Sequence, residues 1–191
     1  MSNTIPTPIV DKNGKNTTVH KKVDDSSAGV ARVAGIVSSE TPANVNPATG
    51  QSYPAGLTHG DVESITNWFL ITAVFTATHT EDEDEGEPEP IDGLGYDYND
   101  FNEASQEKAF NLVVKFATDN EDIVKEALAR PGYDADDFGG DLNYTINGHG
   151  TGFWDREPLK EGGLGEKLTA ASTNLPDINV YVGSNGELDL D

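Results

Sequence analysis

Asn147-Gly-His-Gly-Thr-Gly-Phe-Trp-Asp-Arg156 is the stretch on which the reading of this chain turns. Three of the 20 glycines, one of the two tryptophans and one of the four histidines fall within it. Apolar residues enter it in alternation (Leu142, Tyr144, Ile146), and the aromatic pair Phe153 and Trp154 leaves it. This pattern predicts a strand over 142–147, a tight turn at Asn147-Gly148 and a returning strand over 151–155, the glycines supplying the positive φ that such a turn needs.

Working outward, the chain after Asp61 alternates between apolar segments and acidic breaks. Asp61 or Ser64 is placed to cap a helix running to about Thr78, with Ile65, Trp68, Phe69, Thr72, Ala73 and Thr76 on one face. Seven carboxylates with Gly86, Pro88 and Pro90 make Glu81–Pro90 an exposed loop, since like charges repel and proline ends regular structure. A second helix is predicted over 103–118, with Phe110, Val113, Val114 and Ala117 at core spacing. A third covers 120–130 and stops at Pro131-Gly132. A second acidic loop follows, with Asp134, Asp136, Asp137 and Asp141. Leu164, Leu168, Ala171 and Leu175 mark a fourth helix closed by Pro176, and residues 178–182 and 187–190 form a final hairpin. The order predicts an α+β domain: three helices, then one more, packed on a small, mainly antiparallel sheet made of two hairpins.

Upstream, Ile5–Val10 and Thr17–His20 flank Asn13-Gly14 and read as a small hairpin. Residues 23–60 have few large apolar side chains and read as a linker, so 1–60 is expected to be a mostly disordered arm and 61–191 the folded domain.

Charge bounds the function. The net charge is −22, and residues 61–191 carry 30 acids against seven bases, a net of −23. Such a field repels nucleic acid and anionic membranes and attracts basic surfaces. There is no cysteine, and the longest mainly apolar run, Trp68–Phe75, is too short to cross a bilayer. With no apolar core behind a basic start at the N-terminus, a cytoplasmic protein is expected.

Three kinds of chemistry are candidates. His149 with Asp155 could serve as a general base and its orienting carboxylate, with Arg156 nearby, in a small hydrolase or transferase. In the plainer reading, Gly148, Gly150 and Gly152 serve backbone geometry, Phe153 and Trp154 pack, and Arg156 pairs with a helix-borne carboxylate such as Glu166. The histidines (His20, His59, His79, His149) are scattered, which argues against zinc. A calcium loop over Glu81, Glu83, Glu85, Gly86 and Asp92 fails on its prolines and on Asp rather than Glu at the last position. No cofactor or dedicated metal site is implied.

The acidic surface is the third candidate. A row of carboxylates can imitate a phosphate backbone and capture the Lys and Arg groups that nucleic-acid-binding proteins use. Glu81, Asp82, Glu83, Asp84, Glu85, Glu87, Glu89, Asp134, Asp136, Asp137 and Asp141 are the expected partner contacts.

Asn147–Arg156, together with Gly163-Leu-Gly-Glu-Lys-Leu-Thr169-Ala-Ala and Asp177-Ile-Asn-Val-Tyr-Val-Gly183-Ser-Asn-Gly186, resembles a family of small bacteriophage proteins of unassigned function. Those proteins read NGHGAGFWDR, GLGE-x-G-x-x-LT-x-AA and D-x-YVG-D-DG. The likeness covers residues 62–191. Departures are Lys167, where the family has glycine, and the Glu157–Glu161 insertion. The N-terminal segment is similar to leader segments of phage and actinobacterial proteins. The resemblance implies a phage setting and a compact fold, and supplies no catalytic residues. The expected function is therefore a non-enzymatic, DNA-mimic-like inhibitor of a basic, nucleic-acid-binding host protein. The alternatives are an enzyme at His149 and Asp155, and a virion-associated adaptor attached through residues 1–60.

Overall fold

A computed structural model describes residues 4–10, 16–22, 43–80 and 87–191. The chain divides into two units, 1–40 and 41–191. In the first, strands β1 (Thr4–Val10) and β2 (Asn16–Lys22) pair antiparallel, from Thr4 opposite Lys22 to Val10 opposite Asn16. The Asn13-Gly14 turn and linker residues 23–42 lie outside the described residues.

The second unit starts earlier than the sequence suggested. Val45 bridges to Ser52, the Tyr53 N–H donates to Asn44 O at 2.8 Å, and Tyr53, Ala55 and Leu57 are buried. Residues 43–60 are thus part of the folded unit. Two or three anchoring apolar side chains are enough to fix a segment whose average composition reads as linker.

Helix α1 (His59–Thr76) is capped by Thr58, one turn before the predicted cap. Thr58 Oγ1 accepts from Asp61 N, and the Asp61 carboxylate takes the Thr58 N–H at 2.8 Å, a reciprocal capping box. Its inner face buries Val62, Ile65, Phe69, Leu70, Thr72, Ala73 and Val74, whereas Trp68, expected inside, is exposed. A two-residue ladder follows, β3 (Thr78–His79) against β4 (Glu89–Pro90). Helices α2 (Glu103–Asp119) and α3 (Glu121–Leu128) match the predicted segments. Asn102 caps α2, and Gly132, at φ 76°, turns the chain after α3.

The main departure is α4 (Ala135–Ile146), a helix where an acidic loop and the first strand of a hairpin were expected. Asp134 caps it, accepting from Asp136 N at 3.0 Å and Asp137 N at 3.1 Å, while Asp137 reaches back to the Asp134 N–H. Phe138 and Leu142, four residues apart, then form its buried face. The alternation of Leu142, Tyr144 and Ile146 is incidental. Past α4 the chain makes a 3-10 turn (Phe153–Asp155) rather than a strand, so the predicted hairpin over 142–155 is absent. Helix α5 (Leu164–Ser172) stops short of Leu175, and the final hairpin forms from β5 (Val180–Val182) and β6 (Leu188–Leu190), Tyr181 facing Asp189.

The unit is α+β, with its core chiefly between helices. Helix α4 crosses α1 so closely that a Cβ on Gly139 would lie 2.2 Å from Ile65 O, so no larger residue fits. Helix α2 holds the C-terminal strand: Phe101 bridges to Leu188, and the Leu190 N–H donates to Ser105 Oγ at 2.9 Å.

Candidate functional site

The glycine stretch is the C-terminal exit of α4. Gly148, Gly150 and Gly152 all hold positive φ (65°, 79° and 153°), and the His149 N–H returns to Tyr144 O at 3.1 Å, closing the helix end. Asn147, the last-turn cap, is a latch: its Oδ1 accepts from Ile178 N at 2.8 Å, tying α4 to the approach to β5. Phe153 is fully buried and packs on Phe138 and Phe116, while Trp154 is half-buried.

The predicted dyad does not assemble. The Asp155 carboxylate accepts from Thr151 Oγ1 at 2.9 Å and from Gly152 N at 3.2 Å, bonds that brace the turn. Desolvation works against charge on Asp155, but these bonds and the nearby Arg156 outweigh it and lower its pKa. The ring of His149 is exposed and stands edge-on to Tyr144, away from that carboxylate network.

Arg156 has a different partner from the one expected. Its Nε donates to Asp141 Oδ1 at 2.7 Å and Oδ2 at 2.9 Å, and Nη2 adds a further bond to Oδ1. The remaining capacity of Asp141 is filled by Tyr133 Oη, donating at 3.0 Å. Asp141 is 1% exposed, so it is a structural anchor on the buried side of α4 and not a partner contact; Glu166 is exposed and not the partner of Arg156. Burial pushes the Asp141 carboxyl up, its bonds from Arg156 and Tyr133 pulling it only partly back. Burial, reinforced by Asp141, likewise raises the Tyr133 hydroxyl.

The other expected contacts divide. Glu81, Asp82, Glu83, Asp84 and Glu85, with Gly86 of the calcium reading, lie outside the described residues. Glu87 and Glu89 are exposed. Asp134, Asp136 and Asp137 sit on the first turn of α4, where carboxylates offset the positive helix end. Asp136 also accepts from Ser64 Oγ of α1. Among the described residues no three His, Asp or Glu side chains gather to hold a metal ion, and no helix is long and apolar enough to cross a membrane.

One cavity adjoins His149, with a volume of about 320 Å³. It opens where α1 and α4 end, and Thr76, Thr78, Asn147, His149, Asp177 and Asn179 supply its polar side chains. Comparison with protein-family models, curated proteins and solved structures finds no match. Neither Asp177 as a neighbour of the His149 pocket nor Asp141 as the partner of Arg156 is evident in the sequence pattern. Asp134-x-x-Asp137 ahead of Phe138 and Leu142 was the available signal, since it sets α4 and turns Asp141 inward.

Proposed function

We propose that this protein is a non-enzymatic, phage-type accessory protein that acts in the host cytoplasm by binding a basic, nucleic-acid-handling protein and blocking it as a nucleic-acid decoy. One observation carries the reading. From residue 61 to residue 107 the chain holds 14 acids and no Lys or Arg, and much of this acidity sits on ordered backbone. Asp92 starts one 3-10 turn (Asp92–Leu94), Asp97 and Asp100 cap another in a reciprocal box, and Glu103 opens α2. Carboxylates held at fixed places, without intervening cations, can meet a basic surface with little ordering cost, and their field speeds encounter. The contact set is therefore Glu81–Glu89 with Asp134, Asp136 and Asp137, extended to Asp92, Asp97, Asp100, Glu103 and Glu107, and it omits the buried Asp141.

The test is capture from host lysate at about 0.1 M salt, where the Debye length is about 10 Å, followed by elution at about 1 M, where it is about 3 Å. Nucleic-acid-binding proteins should be retained and then released. A chain with Glu87→Gln, Glu89→Gln, Asp92→Asn, Glu103→Gln and Glu107→Gln should associate about 10-fold more slowly or worse, with no loss of melting temperature. Unchanged capture by that variant would sink the charge reading.

A second reading rests on the cavity beside His149: a small-molecule site, and in its catalytic form a hydrolase or transferase with His149 as base and Asp177 in place of Asp155. An empty capture experiment, together with a ligand lost in a folded His149→Ala variant, would favour it.

A further inference from the structure

Helix α1 is apolar on both sides. Opposite its buried face, Trp68, Ile71 and Phe75 follow one another at steps of three and four residues, the spacing that aligns side chains along a helix. Trp68 is 41% exposed and Phe75 is 63% exposed, with Ile71 half-buried between them. A helix apolar all round is normally covered, and a rimmed apolar patch marks an interaction surface.

The rim says what covers it. Ser64 lies one turn before Trp68 on the same face, and it donates to the Asp136 carboxylate, which places an acid at that end of the stripe. At the other end, Glu89 stands opposite His79 across the β3–β4 ladder. No Lys or Arg occurs on α1 or either strand. A second copy of the chain would bring another −22 charge and the same acidic ends against this face. We infer that the Trp68–Ile71–Phe75 stripe docks a basic amphipathic helix of the target protein, apolar residues against the stripe and Lys or Arg against the acidic rim. This rests on the proposed binding of a basic protein and adds the site of grip, in the helix-in-groove manner of recognition.

The experiment titrates the full chain with two synthetic probes of equal positive charge: a helix with leucines on one face and lysines on the other, and an oligolysine. Calorimetry gives Kd at about 0.1 M and about 1 M salt, and tryptophan emission, read against the Trp68→Gln chain in which Trp154 alone emits, reports on Trp68. The amphipathic probe should bind about tenfold or more tightly than oligolysine, persist at high salt and shift emission to the blue. Phe75→Ser and Trp68→Gln, both at exposed positions, should each weaken that probe about tenfold and leave oligolysine binding unchanged, with circular dichroism confirming the fold. Equal binding of the two probes, or variants that bind like the parent, would overturn the stripe while leaving the charge reading intact. If the carboxylate-neutralised chain bound the amphipathic probe undiminished, the charge reading would fall and the stripe would stand. A dimer in sedimentation that Phe75→Ser dissolves would assign the face to a second copy and overturn the inference.

Discussion

Asp141 and Arg156 show how an ion pair can be lopsided. The carboxylate is enclosed, whereas the guanidinium is 38% exposed and keeps access to water. Removing the cation strands a buried charge; removing the anion frees a cation that solvent can take up. Arg156→Ala should therefore destabilise the fold by about 3–5 kcal/mol, and Asp141→Asn by less, about 1–3 kcal/mol, measured by urea denaturation. Their pH dependence follows from burial. Without Arg156 the Asp141 carboxyl moves further above its unfolded value, so the native state binds the extra proton. Stability of Arg156→Ala is then greatest in acid and falls as pH rises through that raised pKa. The parent follows the same sign more weakly, because the Arg156 bonds pull the carboxyl back. The sequence singles out Arg156 as a carboxylate seeker but not its partner. Glu166 lies beyond Arg156 on an evident helix, whereas Asp141 qualifies only once α4 is known to be helical and to face inward.

Among the elements, α1, α2, α3, α5 and the β5–β6 hairpin were legible because each carries a clear period bounded by caps, prolines or a Ser-Asn-Gly turn. Helix α4 was not. Gly139 and Gly140 depress its helix propensity, and Asp136, Asp137 and Asp141 look like loop acidity until Asp134 is seen as a cap. Gly139 is present because α4 must approach α1 at backbone contact, whereas Gly140 faces only the Thr72 hydroxyl. The prediction is direct: Gly139→Ala gains helix propensity of about 1 kcal/mol yet loses more by overlap with Ile65 O, a net destabilisation of about 1–3 kcal/mol. A thermal melt of Gly139→Ala beside the parent checks the sign, and a variant as stable as the parent would mean that α1 and α4 do not cross this closely. The glycine-rich stretch that drew attention is legible as backbone chemistry. Its role, ending α4 and bracing a turn through Asp155, depends on which element enters it.

For the whole molecule, charge dominates. Twenty-two uncompensated negative charges destabilise a compact state through self-repulsion. Apart from Arg156–Asp141, pairs such as Lys115–Asp119, Arg130 with Glu126 and Glu161, and Lys160–Glu157 are mostly near the surface and weak. Composition could reveal this, but not that residues 43–60 belong to the fold, since Tyr53 and Leu57 are sparse among Pro, Thr, Ala and Asn. Nor could it reveal the cavity beside His149, which exists only where α1, α4 and the approach to β5 converge.

The crossing of Ile65 and Gly139 also sets a clock. Native contact between α1 and α4 waits for closure of a long intervening loop, and the chain between them carries the densest run of carboxylates in the sequence. Loop closure is slow for entropic reasons, and mutual repulsion along this one slows it further. Refolding therefore speeds up as ions screen the loop, whereas the unfolding limb, which starts from helices already in contact, responds less.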